Sequence, residues 1–591
     1  MIFDKPVFGN LFFIQYISRQ QVRVNGSKKM KDITDSNGYA GGSGISSGVK
    51  HDSHPPIRSI KHDSHPPIRS IKHDGHPPIR SIKHDGHPPV RSIKNLVLGT
   101  GLFLLLLTTQ FVTAMASESG FKDKTITFAR QMYEHYHTYR EPVLSHRRFK
   151  HEDILPLIHR LGEHPSVELI EEGLSTEGRE IYRMVIGSGE TTVLLWSQMH
   201  GNEPTATMAL FDIFRFLTAD DGFNDIRAEI LEKVTIHAIP MLNPDGAERY
   251  QRRTAFGIDM NRDALQLQAP ESRLLKRVRD ELDADYGFNL HDQSIRYSVD
   301  MTPQSTVIAF LAPAFDFDRN INPSRKRAMQ LIAQLDEMLQ GFIPGHVATY
   351  SDAFEPRAFG DNIQKWGTST ILVESGGLKG DPEKQYIRKM NYLLLLESFR
   401  SIAQSSYTSY TVEQYESIPP NRFRLHSIIF RNVTLPFKGV EFQVDLAVNR
   451  TEVNINGATN YYKNGTISEL GDLSTMNGYQ EIDATGLRLE IGKVYPDTFA
   501  TENELGVVDV LELMKQGYTA VRVEEPSEGR FTSFPMNILG PYGRQPSGLK
   551  VGRVANLALY RGEDAAYVVV NGFLVDVNGP LPEVRNAMIY R

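Results

Sequence analysis

The sequence predicts an α/β layered domain followed by a second, mostly β domain. At 591 residues the chain is too long for one ordinary domain. Between residues 117 and 404, apolar strand-like runs alternate with helical patterns, which is typical of helices layered on a sheet. From about residue 405, short β-rich runs are separated by Gly, Asn and Pro, which indicates a unit of strands and turns over residues 405–591.

The first 94 residues do not have the pattern of a folded domain. Residues 50–93 are four copies of an 11-residue unit that begins as KHDSHPPIRSI, and the paired prolines in each copy stop helix and sheet. Each unit carries a histidine pair, such as His51 and His54, that could gather a metal. We favour an unfolded leader over residues 1–94, or upstream repeats translated from a start codon placed too early.

Residues 95–116 have the pattern of a signal peptide. Basic residues precede an apolar run from Leu96 to Val112, which ends in the small-x-small sequence Ala114-Met115-Ala116. Cleavage after Ala116 gives an exported protein, periplasmic or secreted, with no stable membrane span. A single membrane anchor is the alternative, because the run is near the ~18 residues that span a bilayer.

A signal peptide acts from the N-terminus of a chain, so we expect translation to start near Val90 and the mature chain to begin at Ser117. The intact mass of secreted material tests this expectation. A mature species that retains the repeats would contradict it.

The α/β domain is expected over residues 117–404. The segments VTIHAIPML and TSTILVES are apolar and β-branched, as in buried strands, while PESRLLKRVRDELDADY has helical periodicity with Pro270 near its start. In an α/β fold of this kind, ligands bind just beyond the carboxyl ends of the strands.

The second domain contains β-rich segments such as GVEFQVDLAVNRTEVNINGATNYY, YTAVRVEE and AAYVVVNGFLVDVNG. No His-x-His metal motif accompanies them, so we infer no second active site. We expect an accessory domain that packs against or gates the first; an independent carbohydrate- or surface-binding module is the alternative.

The amino-acid composition limits the kinds of active site and metal site that the chain can form. The chain has no cysteine, which excludes disulfides, a thiolate nucleophile and Cys-ligated zinc, so any metal must be held by His, Asp or Glu. The net charge of -6 gives no reason to expect nucleic acid as a partner.

His200 and Glu203 follow the apolar run TTVLLW and stand directly before Pro204. Proline suits the first turn of a helix, so both residues are expected on a strand-to-helix turn, close enough to hold one ion together. Imidazole and carboxylate are common zinc ligands, and a catalytic site needs a third protein ligand.

Other chemistry-bearing residues follow in separate segments. Two apolar strands are followed by the segment NPDGAERYQRRTAFGIDMNRDA and by His291, and a β-branched run ends near Glu374. This combination is typical of a hydrolase active site. Histidines and a glutamate can hold a metal, arginines can bind anions, and a carboxylate can transfer a proton.

From Glu171 to about Gly380, the order of these motifs and their local sequences resemble those of the zinc carboxypeptidases of the carboxypeptidase A type. The resemblance implies an α/β/α sandwich around a mixed, largely parallel eight-stranded sheet. It implies one zinc per chain, held by His200, Glu203 and His291. It also implies Arg252 as the residue that polarises the scissile carbonyl, Asn261 and Arg262 as a clamp for the substrate's C-terminal carboxylate, and Glu374 as the general base.

Several residues keep alternative interpretations. Arg253 could replace its neighbour Arg252, and Asp292 could orient a ligand histidine or cap a turn. Asp263 adds a negative charge beside the expected clamp. Tyr350 is the candidate for the family's mobile substrate-covering tyrosine, and a tyrosine of a surface loop is the alternative. The floor of the side-chain pocket is expected near Phe359 to Asn362.

We therefore expect an exported zinc metallocarboxypeptidase that hydrolyses the C-terminal bond of peptides or proteins. One alternative is a zinc hydrolase of another amide, such as cell-wall peptide or an N-acyl amino acid. Another is a catalytically inactive peptide- or glycan-binding protein, whose expected signature is the loss of a ligand or of the base.

Overall fold

The computed structural model describes residues 127–546, 548–582 and 586–591. The predicted leader, signal segment and cleavage site lie outside the described residues. Among the helices that the structure describes, none is long and apolar enough to cross a membrane.

An eight-stranded sheet organises the first region. Its strands are β1 Val167–Leu174, β2 Glu180–Ile186, β3 Thr191–Ser197, β4 Val234–Ile239, β5 Tyr286–Asp292, β7 Ile308–Leu311, β8 Val347–Thr349 and β9 Ser369–Ser375, with the short β6 Tyr297–Val299 outside it. The order is β1-β2-β4-β3-β5-β9-β7-β8. The central strands β4, β3, β5 and β9 are mutually parallel, whereas β1, β2 and β7 join antiparallel neighbours.

Helices cover both faces of this sheet. They are α1 (residues 127–139), α2 His151–Gly162, α3 Thr205–Leu217, α4 Asn224–Leu231, α5 Pro244–Glu248, α6 Pro270–Leu282, α7 Pro323–Leu339, α8 Phe359–Lys365, α9 Gln385–Gln404 and α10 Val412–Glu416. Side chains alternate along β3, so that Val193 and Leu195 enter the core under α3, α7 and α9, while Leu194 and Trp196 enter the core under α6 and α8. The predicted α/β/α sandwich with a mixed eight-stranded sheet is confirmed.

The first core extends further along the chain than the sequence predicts. Tyr407, Tyr410 and Tyr415 follow α9 and are buried in the same core as α7 and α9. The first strand of the β-rich region begins only at Asn421, so the change of core lies later than residue 405. Short turns rich in Ser and Tyr after α9 have the composition of a β region, although they pack on helices.

The C-terminal region is mostly β, as predicted. Its elements are β10 Asn421–Phe423, β11 Leu425–His426, β12 Ile428–Phe437, β13 Val440–Ile455, β14 Asn460–Gly471, β15 Asn477–Gly478, β16 Glu481–Asp483, β17 Arg488–Ile491, β18 Lys493–Thr501, α11 Val510–Lys515, β19 Tyr518–Glu525, β20 Phe531–Thr532, β21 Asn537–Leu539, β22 Leu557–Arg561, β23 Asp564–Val570, β24 Phe573–Asp576 and β25 Ala587–Tyr590. Its two larger sheets have eight and five strands and enclose their own apolar cores. We call this region the β layer.

The β layer docks on the α/β region through the β13–β14 hairpin and through the segment that follows β5. The Glu452 carboxylate on β13 accepts hydrogen bonds from Arg147 at 2.8 Å and from Arg148 at 2.7 Å. Strand β10 pairs with β6, and the Tyr479 hydroxyl donates to the Ile295 carbonyl. Because Arg148 is almost fully buried, its ion pair fixes the hairpin in one position.

Candidate active site

The carboxyl ends of three neighbouring parallel strands meet at one edge of the main sheet. In the pairing of β5 with β9, His291 stands directly opposite Glu374. His200 lies just beyond the end of β3, which is the other neighbour of β5. The sheet order therefore brings together residues that are far apart in the sequence, as expected for a ligand site in an α/β fold.

The turn that carries His200 is shaped by backbone requirements. Gln198 has a left-handed backbone with φ 47°, and Gly201 packs so closely on α5 that an added Cβ would lie 1.9 Å from the Gly246 carbonyl carbon. The Asp292 carboxylate accepts from the backbone N–H and hydroxyl of Thr205, the first residue of α3. Asp292 thus caps the helix after the turn, and it does not bond either histidine.

Three donor atoms converge in this turn. Glu203 Oε2 lies 2.9 Å from His200 Nδ1 and 2.7 Å from His291 Nδ1, and the three side chains are buried. Two imidazole nitrogens and one carboxylate oxygen form a common donor set for catalytic zinc, with a fourth position left open. The Nε2 atom of His291 has no hydrogen-bond partner within the described residues. The donor set fits a zinc ion.

Charge and burial favour the metal-binding forms of Glu203 and His291, but not of His200. Burial would raise the pKa of Glu203, but the neighbouring histidines outweigh it and hold that pKa well below its usual value. Burial lowers the pKa of His291. Burial would also lower the pKa of His200, but the charge of Glu203 and a hydrogen bond with Asp259 raise it instead. An ionised Glu203 and a neutral His291 are the states that a metal site requires.

Asp259 connects His200 to Arg252. Its Oδ1 lies 3.1 Å from His200 Nε2, and its Oδ2 accepts from Arg252 Nε at 3.0 Å. A carboxylate on the far nitrogen fixes the orientation and tautomer of a ligand histidine. Sequence reasoning assigned this possible role to Asp292 and missed Asp259, although Asp259 stands two residues before Asn261 in the same motif.

Arg252 reaches the site and Arg253 does not. The Nη1 atom of Arg252 lies 3.0 Å from His200 Nδ1 and 3.1 Å from Glu203 Oε1, and its side chain is 43 % exposed toward the cavity. Arg253 is exposed, does not line the cavity and donates to the Gly257 carbonyl. Of the two candidates, only Arg252 is positioned to contact a bound substrate.

The Glu374 side chain lines the cavity and makes no hydrogen bond or ion pair within the described residues. Its pKa is raised well above the usual value, chiefly by burial and then by the charges of Glu203 and Asp292, while Arg252 and Lys384 oppose the rise. A free carboxylate with a raised pKa can both accept and return a proton near neutral pH.

Both residues of the expected carboxylate clamp line the cavity. Arg262 lines it and forms an ion pair with Glu355 at 3.4 Å, while the Asn261 side chain accepts from the Phe359 N–H. Asp263, which adds charge beside the clamp in the sequence, turns away from the cavity and accepts from the N–H groups of Gln268 and Ala269.

Two further predicted features also lie at the cavity. The Tyr350 hydroxyl is 2.8 Å from the Tyr297 hydroxyl, and both tyrosines line the cavity. Within the expected pocket floor, Phe359 is fully buried, whereas Asp361 lines the cavity. Burial raises the pKa of Asp361 to about 6.

Asn243 to Gly246 form a structural corner behind the site. The Asn243 side chain caps α5 and bonds the Met199 carbonyl, and the buried Asp245 accepts from Ser175 and Arg179. This corner holds the turn of His200 from behind.

The cavity has a volume of about 1140 Å³, and two regions of the chain form its walls. The α/β region supplies the residues described above. The β layer supplies side chains that include Arg450, Lys463 and Tyr479. Sequence reasoning did not identify these residues, because they belong to no motif and reach the cavity only when the β layer docks.

The zinc carboxypeptidase family matches residues 156–294, which include His200, Glu203, Arg252 and His291. The resemblance to the zinc carboxypeptidases is confirmed. The matched segment ends before Glu374.

Curated relatives match about a quarter of the chain or less. A probable carboxypeptidase 2 of Arthroderma benhamiae is 26% identical over 158 residues, which is 25% of this chain and 29% of the relative. Carboxypeptidase 2 of Trichophyton rubrum is 29% identical over 128 residues, or 20% of this chain and 23% of the relative. The chain thus spans less than a third of the length of these relatives.

Among solved structures, a metallo-carboxypeptidase from Burkholderia cenocepacia covers 44% of this chain and 70% of its own, with 17% identity and a TM-score of 0.35.

Proposed function

We propose that this chain is an exported zinc-dependent metallocarboxypeptidase that removes residues from the C-terminus of peptides or proteins. One observation carries the proposal: a free carboxylate, Glu374, lies beside a buried His-Glu-His donor set in a single open cavity. The family match to residues 156–294 supports it.

His200, Glu203 and His291 would hold one zinc ion per chain. Bound zinc supplies Lewis acidity to a water molecule and to the scissile carbonyl. Asp259 holds the ring of His200 in place through Nε2.

Glu374 would act as the general base. It accepts a proton from the water whose oxygen bonds to the carbonyl carbon, and it then gives this proton to the leaving amine as the C–N bond breaks. The products are a peptide shortened by one residue and a free amino acid. The raised pKa of Glu374 supports both proton transfers.

Two arginines have separate roles in the proposal. Arg252, which is bonded to His200 and Glu203 and 43 % exposed, would donate to the carbonyl oxygen as negative charge develops there. Arg262 and Asn261 would bind the C-terminal carboxylate, for which the planar guanidinium offers paired donors. Tyr350 would cover the bound residue from the side of Tyr297.

The experiment pairs zinc content with release of C-terminal amino acids from a mixed peptide pool, for the wild type and Glu374→Gln. We expect about one zinc per chain in both proteins and a loss of release of about 10²–10⁴-fold in the variant. Glu563→Gln, at an exposed glutamate outside the cavity, is the matched control and should keep full activity.

Either of two results would contradict the proposal and indicate a different function. Zinc binding without release from any peptide would favour hydrolysis of another amide, such as cell-wall peptide or an N-acyl amino acid. A protein that binds no zinc would be a peptide- or glycan-binding protein on a hydrolase fold.

A further inference from the structure

The wall that the β layer contributes to the cavity, together with the segment after β5 that bonds to it, carries cations without an ion-pair partner in the described residues. Arg296, from the segment after β5, and Arg450 and Lys463, from the β13–β14 hairpin, all line the cavity and are half-buried. None of the three forms an ion pair in the described part of the chain. The Arg450 guanidinium lies 4.8 Å from the Phe573 ring centre, which is its main side-chain contact.

The carboxylates near this wall are already engaged. Glu452 is bonded by Arg147 and Arg148, and Asp381 accepts from the first N–H groups of α9. Burial lowers the pKa of Arg296 and of Arg450, and no charged neighbour opposes this effect. Burial also lowers the pKa of Lys463, although the charges of Glu452 and Glu383 oppose it in part. Half-buried cations without a partner are poised to bind an anion.

The position of these cations relative to the clamp indicates which part of a substrate they meet. Arg262 contacts the segment of Glu355, and in the described chain no hydrogen bond or ion pair joins residues 261–262 or 353–361 to the β layer. Arg296, in contrast, accepts backbone bonds from Arg424 and Leu425 of the β layer. A peptide whose C-terminus lies at Arg262 and whose scissile bond lies at the metal site would have its preceding residues in the rest of the cavity, which Arg296 and the β layer help to line.

We propose that Arg296, Arg450 and Lys463 form a subsite for acidic side chains that precede the C-terminal residue of the substrate. The inference rests on the proposed carboxypeptidase function and adds a substrate class to it. The cavity volume of about 1140 Å³ exceeds the ~300–1,000 Å³ typical of small-ligand pockets, so it has room for several residues of a peptide.

The test compares two peptide pools with the same mixed C-terminal residues, one with Glu-Glu and one with Gln-Gln upstream. We expect the wild type to show a kcat/KM about tenfold higher for the Glu-Glu pool, and this ratio to fall as salt is added. Arg450→Gln combined with Lys463→Gln should bring the ratio close to one while kcat/KM for the Gln-Gln pool is retained. Equal kcat/KM values for both pools in the wild type would overturn the subsite.

A matched control removes one arginine and one lysine elsewhere in the β layer. Arg561→Gln combined with Lys438→Gln changes two exposed residues outside the cavity, and this variant should keep the wild-type ratio. Arg296→Gln, on a different segment from the hairpin, should lower the ratio by itself. An unchanged ratio in both Arg296→Gln and the double hairpin variant would contradict the assignment.

A binding measurement separates this inference from the proposed function. Fluorescence anisotropy of labelled Glu-Glu and Gln-Gln peptides on zinc-loaded Glu374→Gln reports the subsite without turnover. Tighter binding of the Glu-Glu peptide, lost in the triple variant that also carries Arg450→Gln and Lys463→Gln, supports the subsite even if no peptide is ever hydrolysed. Displacement of this peptide by an oligogalacturonate at equal concentration would instead assign the wall to an anionic glycan and overturn the proposal.

Discussion

The two walls of the cavity use positive charge differently. On the α/β wall, Arg252 and Arg262 are each held by carboxylates, Asp259 and Glu355 respectively. On the β-layer wall, Arg450 and Lys463 have no such partner within the described residues. A paired arginine is fixed in orientation, as chemistry at one bond requires, whereas an unpaired cation attracts whatever anion enters. The difference separates residues suited to catalysis from residues suited to substrate selection.

The largest effect that tests this comparison is expected at Arg252. Arg252→Gln removes the donor nearest to the ligand atoms, so we expect kcat to fall about 10²–10³-fold. The preference for upstream acidic residues should stay, because the β-layer wall is intact. Steady-state kinetics on the Glu-Glu and Gln-Gln pools measures both quantities.

Arg253→Gln is the matched control for Arg252. It removes a neighbouring exposed arginine that bonds only a loop carbonyl, and its activity should be close to the wild type. A greater loss in Arg253→Gln than in Arg252→Gln would exchange the roles of the two residues.

An intermediate effect is expected at Glu452, which holds the β-layer wall in place. Glu452→Gln leaves the buried Arg148 without its carboxylate, and we expect the free energy of unfolding to fall by about 2–3 kcal/mol. The preference for acidic peptides should weaken at the same time. Urea unfolding and the kinetic ratio measure the two consequences.

Glu441→Gln changes an exposed glutamate on the same strand and should alter the free energy of unfolding by less than about 0.5 kcal/mol. Equal losses in the two variants would show that the ion pair of Glu452 does not hold the interface.

The smallest effect concerns Asp361 on the α/β wall. Its folded pKa of about 6 exceeds the ordinary value of 3.8, so ionisation is penalised in the folded state. The penalty is fully present above pH 6 and disappears as pH falls toward 4. Asp361→Asn should therefore raise the free energy of unfolding by about 1–2 kcal/mol at pH 8, because cavity water screens part of the shift, and change it little at pH 4. An equal effect at both pH values would contradict burial as the cause.

The α/β wall was largely predictable from the sequence. His200, His291 and Glu374 each stand at or just past the end of an apolar run, and parallel strands bring such ends to one edge of a sheet. Asp259 escaped prediction because its role depends on the tautomer of His200, which the sequence does not specify.

The β-layer wall could not be predicted in the same way. Arg450 and Lys463 lie on the β13–β14 hairpin, whereas Arg296 lies on the segment after β5. The docking of the hairpin through Glu452 brings Arg450 and Lys463 to the cavity that Arg296 also lines. Each alone has the pattern of an ordinary surface cation. Periodicity predicted an α/β layered domain and a β region, and the family resemblance implied the α/β/α sandwich. The later change of core, near Ile418, was not predicted, because the tyrosines that follow α9 pack on α7 without a helical sequence pattern.

The central claim is that this cavity acts on free peptide C-termini. The most direct measurement is mass spectrometry of one peptide, incubated with the zinc-loaded protein either as the free acid or as the C-terminal amide. The account predicts that the free acid becomes shorter by one residue at a time while the amide stays intact, because Arg262 needs a carboxylate to bind. Internal cleavage, or equal hydrolysis of the acid and the amide, would contradict it.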